Sequence, residues 1–164
     1  MTHYSQMSFS VASDLLMGWG DRSATSLFLA SGNYTIFPQN GDGLQEDPIS
    51  GTKQGPGAHP FLMMRVSDST MRGYAGLFLI NTNPMSLEVN LDPLGKSTKL
   101  TYRVAGGALD FLIFYGPSYD QVLRQYHDAI GKPKMMALHA HGFFSRSPAY
   151  NVPANALQSI QGYK

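Results

Sequence analysis

The 164-residue chain contains no cysteine. A disulfide framework, a thiolate metal centre and a cysteine nucleophile are therefore excluded. The redox compartment stays open, because a core of this size needs no covalent staples. Charge of one sign is also lacking: 12 Lys and Arg stand against 11 Asp and Glu, for a net of +1. Such a balance gives no electrostatic case for nucleic acid or an anionic membrane as partner. No run approaches the roughly 18 apolar residues that cross a bilayer. The start of the chain shows no basic stretch followed by an apolar one, so no signal peptide is read there. There is no internal repeat, no low-complexity tract, and no nucleophile elbow or phosphate loop.

What is present belongs to a folded, mainly β protein. Hydrophobic residues make up 43% of the chain and aromatics 12%, far above the level of disordered segments. Seventeen Gly and ten Pro supply many turns. Gly18-Trp19-Gly20-Asp21 reads as a turn, and Leu27–Leu29 and Tyr34–Phe37 as short β runs around Gly32. Residues 38–60, rich in Gly and Pro, read as one long loop. Phe61–Val66 and Tyr74–Ile80 read as strands. Met85–Leu91 alternates strictly, which buries Met85, Leu87, Val89 and Leu91 on one face. Leu100, Tyr102 and Val104 share a face in the next strand. Leu109–Tyr115 is apolar apart from Asp110, which predicts a central strand covered on both faces. Ser118 caps a helix, with Gln121 at the capping-box position. Val122, Leu123, Tyr126 and Ile130 form its stripe, and Gly131 and Pro133 end it. Beyond it, Met135–Phe144 reads as a strand and Asn155–Tyr163 as a second helix.

Candidate chemistry is sparse. The Asp and Glu residues sit at turns or on the helix, where solvation or capping is the default role, and none forms a clear catalytic pair. Glu46-Asp47 in the long loop reads as solvated charge. Asp110, a carboxylate in an apolar strand, needs a partner, and Arg103 is the expected one. His139 and His141 alternate along the expected strand but lack a third ligand nearby, so no metal site is assigned. His59 is expected to make a structural hydrogen bond. Trp19, Tyr34, Phe37 and Phe61 are read as core rather than as a sugar-stacking platform. No catalytic residue and no cofactor is assigned.

Several ordered segments carry a resemblance. They are Gly18-Trp19-Gly20-Asp21-Arg22, Tyr34-Thr35-Ile36-Phe37, Gly57-Ala58-His59-Pro60-Phe61, Leu79-Ile80-Asn81-Thr82-Asn83 and Gly106-Gly107-Ala108-Leu109-Asp110-Phe111. In order and spacing the chain resembles the N-terminal β-sandwich domain of family 31 glycoside hydrolases, the α-glucosidase and maltase-glucoamylase group. The resemblance covers roughly Gly18 to Phe143. It implies an antiparallel β-sandwich of the galactose-mutarotase-like kind with one C-terminal helix, over residues 1–133. Residues 134–164 would be a short remnant of the start of a (β/α)8 barrel.

The resemblance also implies a role. In many family members a loop Asp reaches from this domain into the sugar pocket. Here Asn40 takes the matching place and Asp42 lies two residues later, so both are the expected substrate-binding residues. Asn40 keeps hydrogen-bonding capacity without charge. Family catalysis takes two Asp from barrel strands, and a barrel takes about 250 residues; about thirty follow Lys134 here. The chain is thus expected to be inactive alone. Its expected partners are the catalytic barrel and, in the intact enzyme, an α-linked oligosaccharide. Family members are often secretory, lysosomal or of the endoplasmic reticulum, which leaves the compartment open. The alternative is a stand-alone carbohydrate-binding or protein-interaction β-sandwich.

Overall fold

The structure, a computed structural model, describes residues 4–20, 22–23, 26–37, 45–46, 53–55, 57–68, 70, 72–94, 97–145 and 147–163. Eleven strands are present among them. They are β1 (Ser5–Val11), β2 (Leu16–Gly18), β3 (Arg22–Ser23), β4 (Gly32–Ile36), β5 (Gln45–Glu46), β6 (Lys53–Gln54), β7 (Phe61–Ser67), β8 (Arg72–Leu79), β9 (Met85–Leu91), β10 (Thr98–Val104) and β11 (Phe111–Gly116). The helix α1 spans Tyr119–Ile130 and α2 spans Pro153–Gly162. Every strand pairing is antiparallel. One sheet runs β1-β10-β9-β4, a second runs β11-β8-β7-β2, and a small third runs β3-β6-β5.

The chain divides into two compact units, Met1–Gly131 and Lys132–Lys164. In the first, the two four-stranded sheets enclose the main core. Met85, Leu87 and Val89 enter it from β9, and Leu100, Tyr102 and Val104 from β10. The strict alternation of β9 is the cause: a period of two sends one set of side chains inward and leaves Ser86, Glu88 and Asn90 outside. β7 behaves differently. Leu62 and Met64 join the inter-sheet core, while Phe61 and Met63 join a second cluster with Phe114 and the helix residues Val122 and Tyr126. The second sheet is therefore covered on both faces, by the first sheet and by α1, and its middle reads as a continuous apolar run.

Glycines make room for the helix. A Cβ on Gly76 would lie 2.9 Å from the Phe61 ring and 3.0 Å from Val122 Cγ1. The cap of α1 is as expected: Ser118 Oγ accepts from the Gln121 N–H, and the Gly131 N–H closes on the His127 carbonyl at 2.9 Å with φ +95°.

The motifs that carried the resemblance hold one another. Asn81 Nδ2 donates to the carbonyls of Gly106 and Ala108 at 2.9 and 3.0 Å, and its Oδ1 accepts from the Asn83 N–H at 2.8 Å. Trp19 sits at φ +61° between Gly18 and Gly20, both also at positive φ. Its N–H donates to the Phe61 carbonyl at 3.0 Å. Its indole is 1% exposed and meets the rings of Tyr34 and Tyr102. The Trp19 Nε1 and the Tyr102 hydroxyl are both buried. Burial pushes the Tyr102 phenol well above its ordinary range, and the nearby indole N–H opposes a little of that rise.

Four expectations are corrected. β11 is an edge strand, not a central one: Leu112 and Phe114 face α1, Phe111 reaches the inter-sheet core, and Ile113 is 73% exposed. Its apolar run reflects a helix on one side and the core at one end. Asp110 precedes that strand and is exposed, and Arg103 pairs with Glu88 instead, its neighbour across β9 and β10. Leu27–Leu29 forms a bend with Leu27 and Phe28 exposed. Met135–Phe144 forms no strand; Leu138–His141 is a single 3-10 turn.

The second unit holds that turn, another at Pro148–Asn151, and α2. Asn155 Nδ2 bonds the Ala149 carbonyl, and Phe143 meets Tyr163 edge-on. None of its described residues is buried; Met135, Leu138, Phe143 and Phe144 are 72 to 89% exposed.

Candidate functional site

Asn40 and Asp42 lie outside the described residues. The footing of their segment is described. The segment leaves β4 at Phe37, whose carbonyl accepts from Gln54 Nε2 at 3.4 Å. It returns through β5, which pairs with β6, which pairs with β3. This small sheet was invisible as periodicity, because each of its strands has two residues. Gln54 is 1% exposed, so its amide is a fixed post. Arg22, at the start of β3, places its guanidinium 5.3 Å from the Tyr34 ring centroid and donates to the Thr35 carbonyl. Both ends of the 38–44 segment are thus tied to the sandwich.

Of the four aromatics read as core, Trp19, Tyr34 and Phe61 are buried as expected; Phe37 is 46% exposed. Two concavities flank this region within the first unit. A groove of about 750 Å³ is floored by Met17, Phe61 and Met63 and bordered by Arg22, Phe28, Tyr119 and Leu123. A nook of about 400 Å³ lies at the other side of β4, between Tyr4, Phe37, Pro84, Met85 and Arg103. On the outer face beside the nook, Arg103 and Asn90 both donate to the Glu88 carboxylate and hold it below its usual pKa, Arg103 most strongly.

His59 makes the structural bond expected of it, and its partner is on α1: Nε2 lies 2.5 Å from the Tyr126 hydroxyl. The imidazole packs against Phe61, Phe78 and Tyr126. The backbone of Gly20 lies close behind it, since a Cβ there would be 3.0 Å from the His59 N. Burial lowers the His59 pKa below 6.5. A lowered pKa means the folded state binds its proton less readily than the unfolded chain. The stability it contributes is present above pH 6.5 and is lost as pH falls through the folded value. Wild type is therefore expected to lose Tm more steeply than His59→Gln between pH 7 and 5, measured by thermal melts in matched buffers. Parallel pH profiles would contradict this assignment.

Among the described residues no group of three His, Asp or Glu is arranged to hold a metal ion, and His139 and His141 sit exposed on a 3-10 turn. No described helix is long and apolar enough to cross a membrane. The site therefore offers anchored polar and aromatic groups on the described residues that flank 38–44, and the described residues show no paired carboxylates for acid–base chemistry.

No family model matches the chain. Curated proteins do. The human probable maltase-glucoamylase 2 is 33% identical over 137 residues, which is 84% of this chain and 5% of that protein. The intestinal sucrase-isomaltase of Homo sapiens is 32% identical over 138 residues, or 84% of this chain and 7% of that protein. The lysosomal alpha-glucosidase of Mus musculus is 32% identical over 156 residues, covering 95% of this chain and 15% of that protein. The chain thus spans a small fraction of the length of these relatives. Among solved structures, the glucosidase II alpha subunit superposes with a TM-score of 0.60 at 17% identity, over 77% of this chain and 15% of that one. That likeness concerns the fold.

Proposed function

We propose, from the premise that this chain matches the N-terminal region of α-glucosidase-like family 31 glycoside hydrolases, that it is a non-catalytic sandwich portion of such an enzyme. In the intact protein its 38–47 loop helps shape the sugar pocket, with Asn40 and Asp42 as the substrate-facing residues. The barrel domain is the partner that supplies both catalytic carboxylates, and an α-linked oligosaccharide is the substrate.

The observation that carries this reading is the anchored loop footing. Gln54, Arg22 and the small sheet tie the described residues on both sides of that segment to the sandwich. The largely exposed apolar side chains of the second unit, Met135, Leu138, Phe143 and Phe144 among them, support a contact with further protein surface. Purified chain incubated with maltose or a chromogenic α-glucoside is expected to release no glucose above a buffer blank. Turnover above that blank would overturn the non-catalytic reading.

A further inference from the structure

Asn33-Tyr34-Thr35 is the one Asn-x-Ser/Thr triplet in the chain. A triplet of this kind accepts an N-linked glycan, which the folded protein must then carry on its surface. The three residues lie on β4. The period of two sends Tyr34 and Ile36 into the core and leaves Asn33 exposed on the outer face of the first sheet. Opposite it on β9 stands Glu88, whose carboxylate is taken by Arg103 and Asn90. The Asn33 side chain makes no hydrogen bond to a described residue. Asn81, Asn83, Asn90 and Asn155 each commit their side-chain nitrogen to one.

β4 is also an edge strand, paired with β9 alone. In an antiparallel ladder the backbone groups of alternate residues point toward the partner strand and away from it. The carbonyls of Thr35 and Phe37 point away and accept from Arg22 and Gln54. By the same alternation the backbone groups of Asn33 face the open side. No described side chain covers them there. An uncovered edge of this kind is a template for pairing with another chain.

We propose that Asn33 carries an N-linked glycan, which covers the open end of the β4 edge. In the transfer, Asn33 Nδ2 forms a bond to C1 of the first sugar of an oligosaccharide held on a polyprenyl diphosphate. The C1–O bond to the diphosphate breaks, the polyprenyl diphosphate leaves, and Nδ2 gives up one proton to the transferase. The triplet is recognised on the unfolded chain as it enters the secretory lumen, so the burial of Tyr34 is no obstacle. The fold has only to leave the modified nitrogen outside, and Asn33 meets that condition. Its surroundings on the outer face are Ser86, Glu88, Lys99 and Arg103, none of them buried, so a bulky hydrated group displaces no apolar packing. The targeting segment belongs to the longer polypeptide of the reading under Proposed function; the site itself rests on β4.

The test is peptide mapping of the native polypeptide after peptide-N-glycosidase treatment in heavy-oxygen water, which turns a glycan-bearing asparagine into labelled aspartate. Label at Asn33 is expected, and an unlabelled Asn33 would overturn the proposal. This readout does not depend on the size of the polypeptide, so its failure is distinguishable from failure of the reading under Proposed function. The edge role is tested on the chain secreted from eukaryotic cells behind a cleavable leader. Glycosidase is expected to lower its apparent mass by a single step, to the position of Asn33→Gln. Mobility that the glycosidase leaves unchanged would overturn the site. The trimmed chain and Asn33→Gln, its fold checked by thermal melts, are both expected to self-associate at severalfold lower protein concentration than the glycosylated chain. Equal self-association of the bare and glycosylated forms would overturn the edge role, and the trimmed wild type gives that comparison without any substitution.

Discussion

Replacing Trp19 by alanine is expected to cost about 3–5 kcal/mol of folding stability. The indole is 1% exposed and fills the core between the two sheets, against Tyr34 and Tyr102. Its removal leaves a cavity that a backbone pinned at positive φ between two glycines collapses into poorly. A domain of this kind has about 5–15 kcal/mol to lose. Trp19 is the chain's one tryptophan, so urea unfolding should be followed by circular dichroism. Phe37→Ala, at a half-exposed ring, is expected to stay within about 0.5 kcal/mol on the same axis. A Trp19→Ala loss as small as that of Phe37→Ala would refute the assignment of Trp19 to the core.

Gly76→Leu is expected to lift α1 from the second sheet and to cost about 3 kcal/mol. The position has no room even for a Cβ, with the Phe61 ring at 2.9 Å and Val122 Cγ1 at 3.0 Å. The rings that seat Tyr126, stacked on Phe61 at 4.2 Å, are displaced with it. Hydrogen exchange should show the loss concentrated in α1 amides, with β9 and β10 changing less. Unchanged protection of α1 would mean that the helix is not held by this contact.

Much of the sandwich was legible in the residues because burial there imposes a period. The alternation of Met85–Leu91 marks the inward face of β9, and Ser118 and Gly131 mark both ends of α1. Legibility failed where the cause lay outside the local sequence. The apolar run at Leu109–Tyr115 spoke of burial but not of which neighbour provides it, and the answer was a helix on an edge strand. Arg103 was expected to pair with Asp110; it pairs instead with Glu88, its diagonal neighbour on β9. The two-residue strands β5 and β6 carry no pattern at all; they exist because the chain folds back on β3.

The segments that carried the family resemblance proved to be mainly structural. Asn81 ties the turn after β8 to the Gly106–Ala108 turn, and Trp19 ties the Gly-Trp-Gly turn to the strand that follows His59. This explains how a chain can keep the family signature while its described residues hold no paired catalytic carboxylates. The expected substrate contacts, Asn40 and Asp42, belong to a segment whose footing is described while the two residues themselves are not.

The proposed place of this sandwich in a larger α-glucosidase-like enzyme can be read from the size of the native polypeptide. An immunoblot of source material, with an antibody raised against this segment, tests it most directly. A band several times the 18.0 kDa of this chain is expected. A sole band near 18 kDa would contradict it and move the stand-alone binding module to the front.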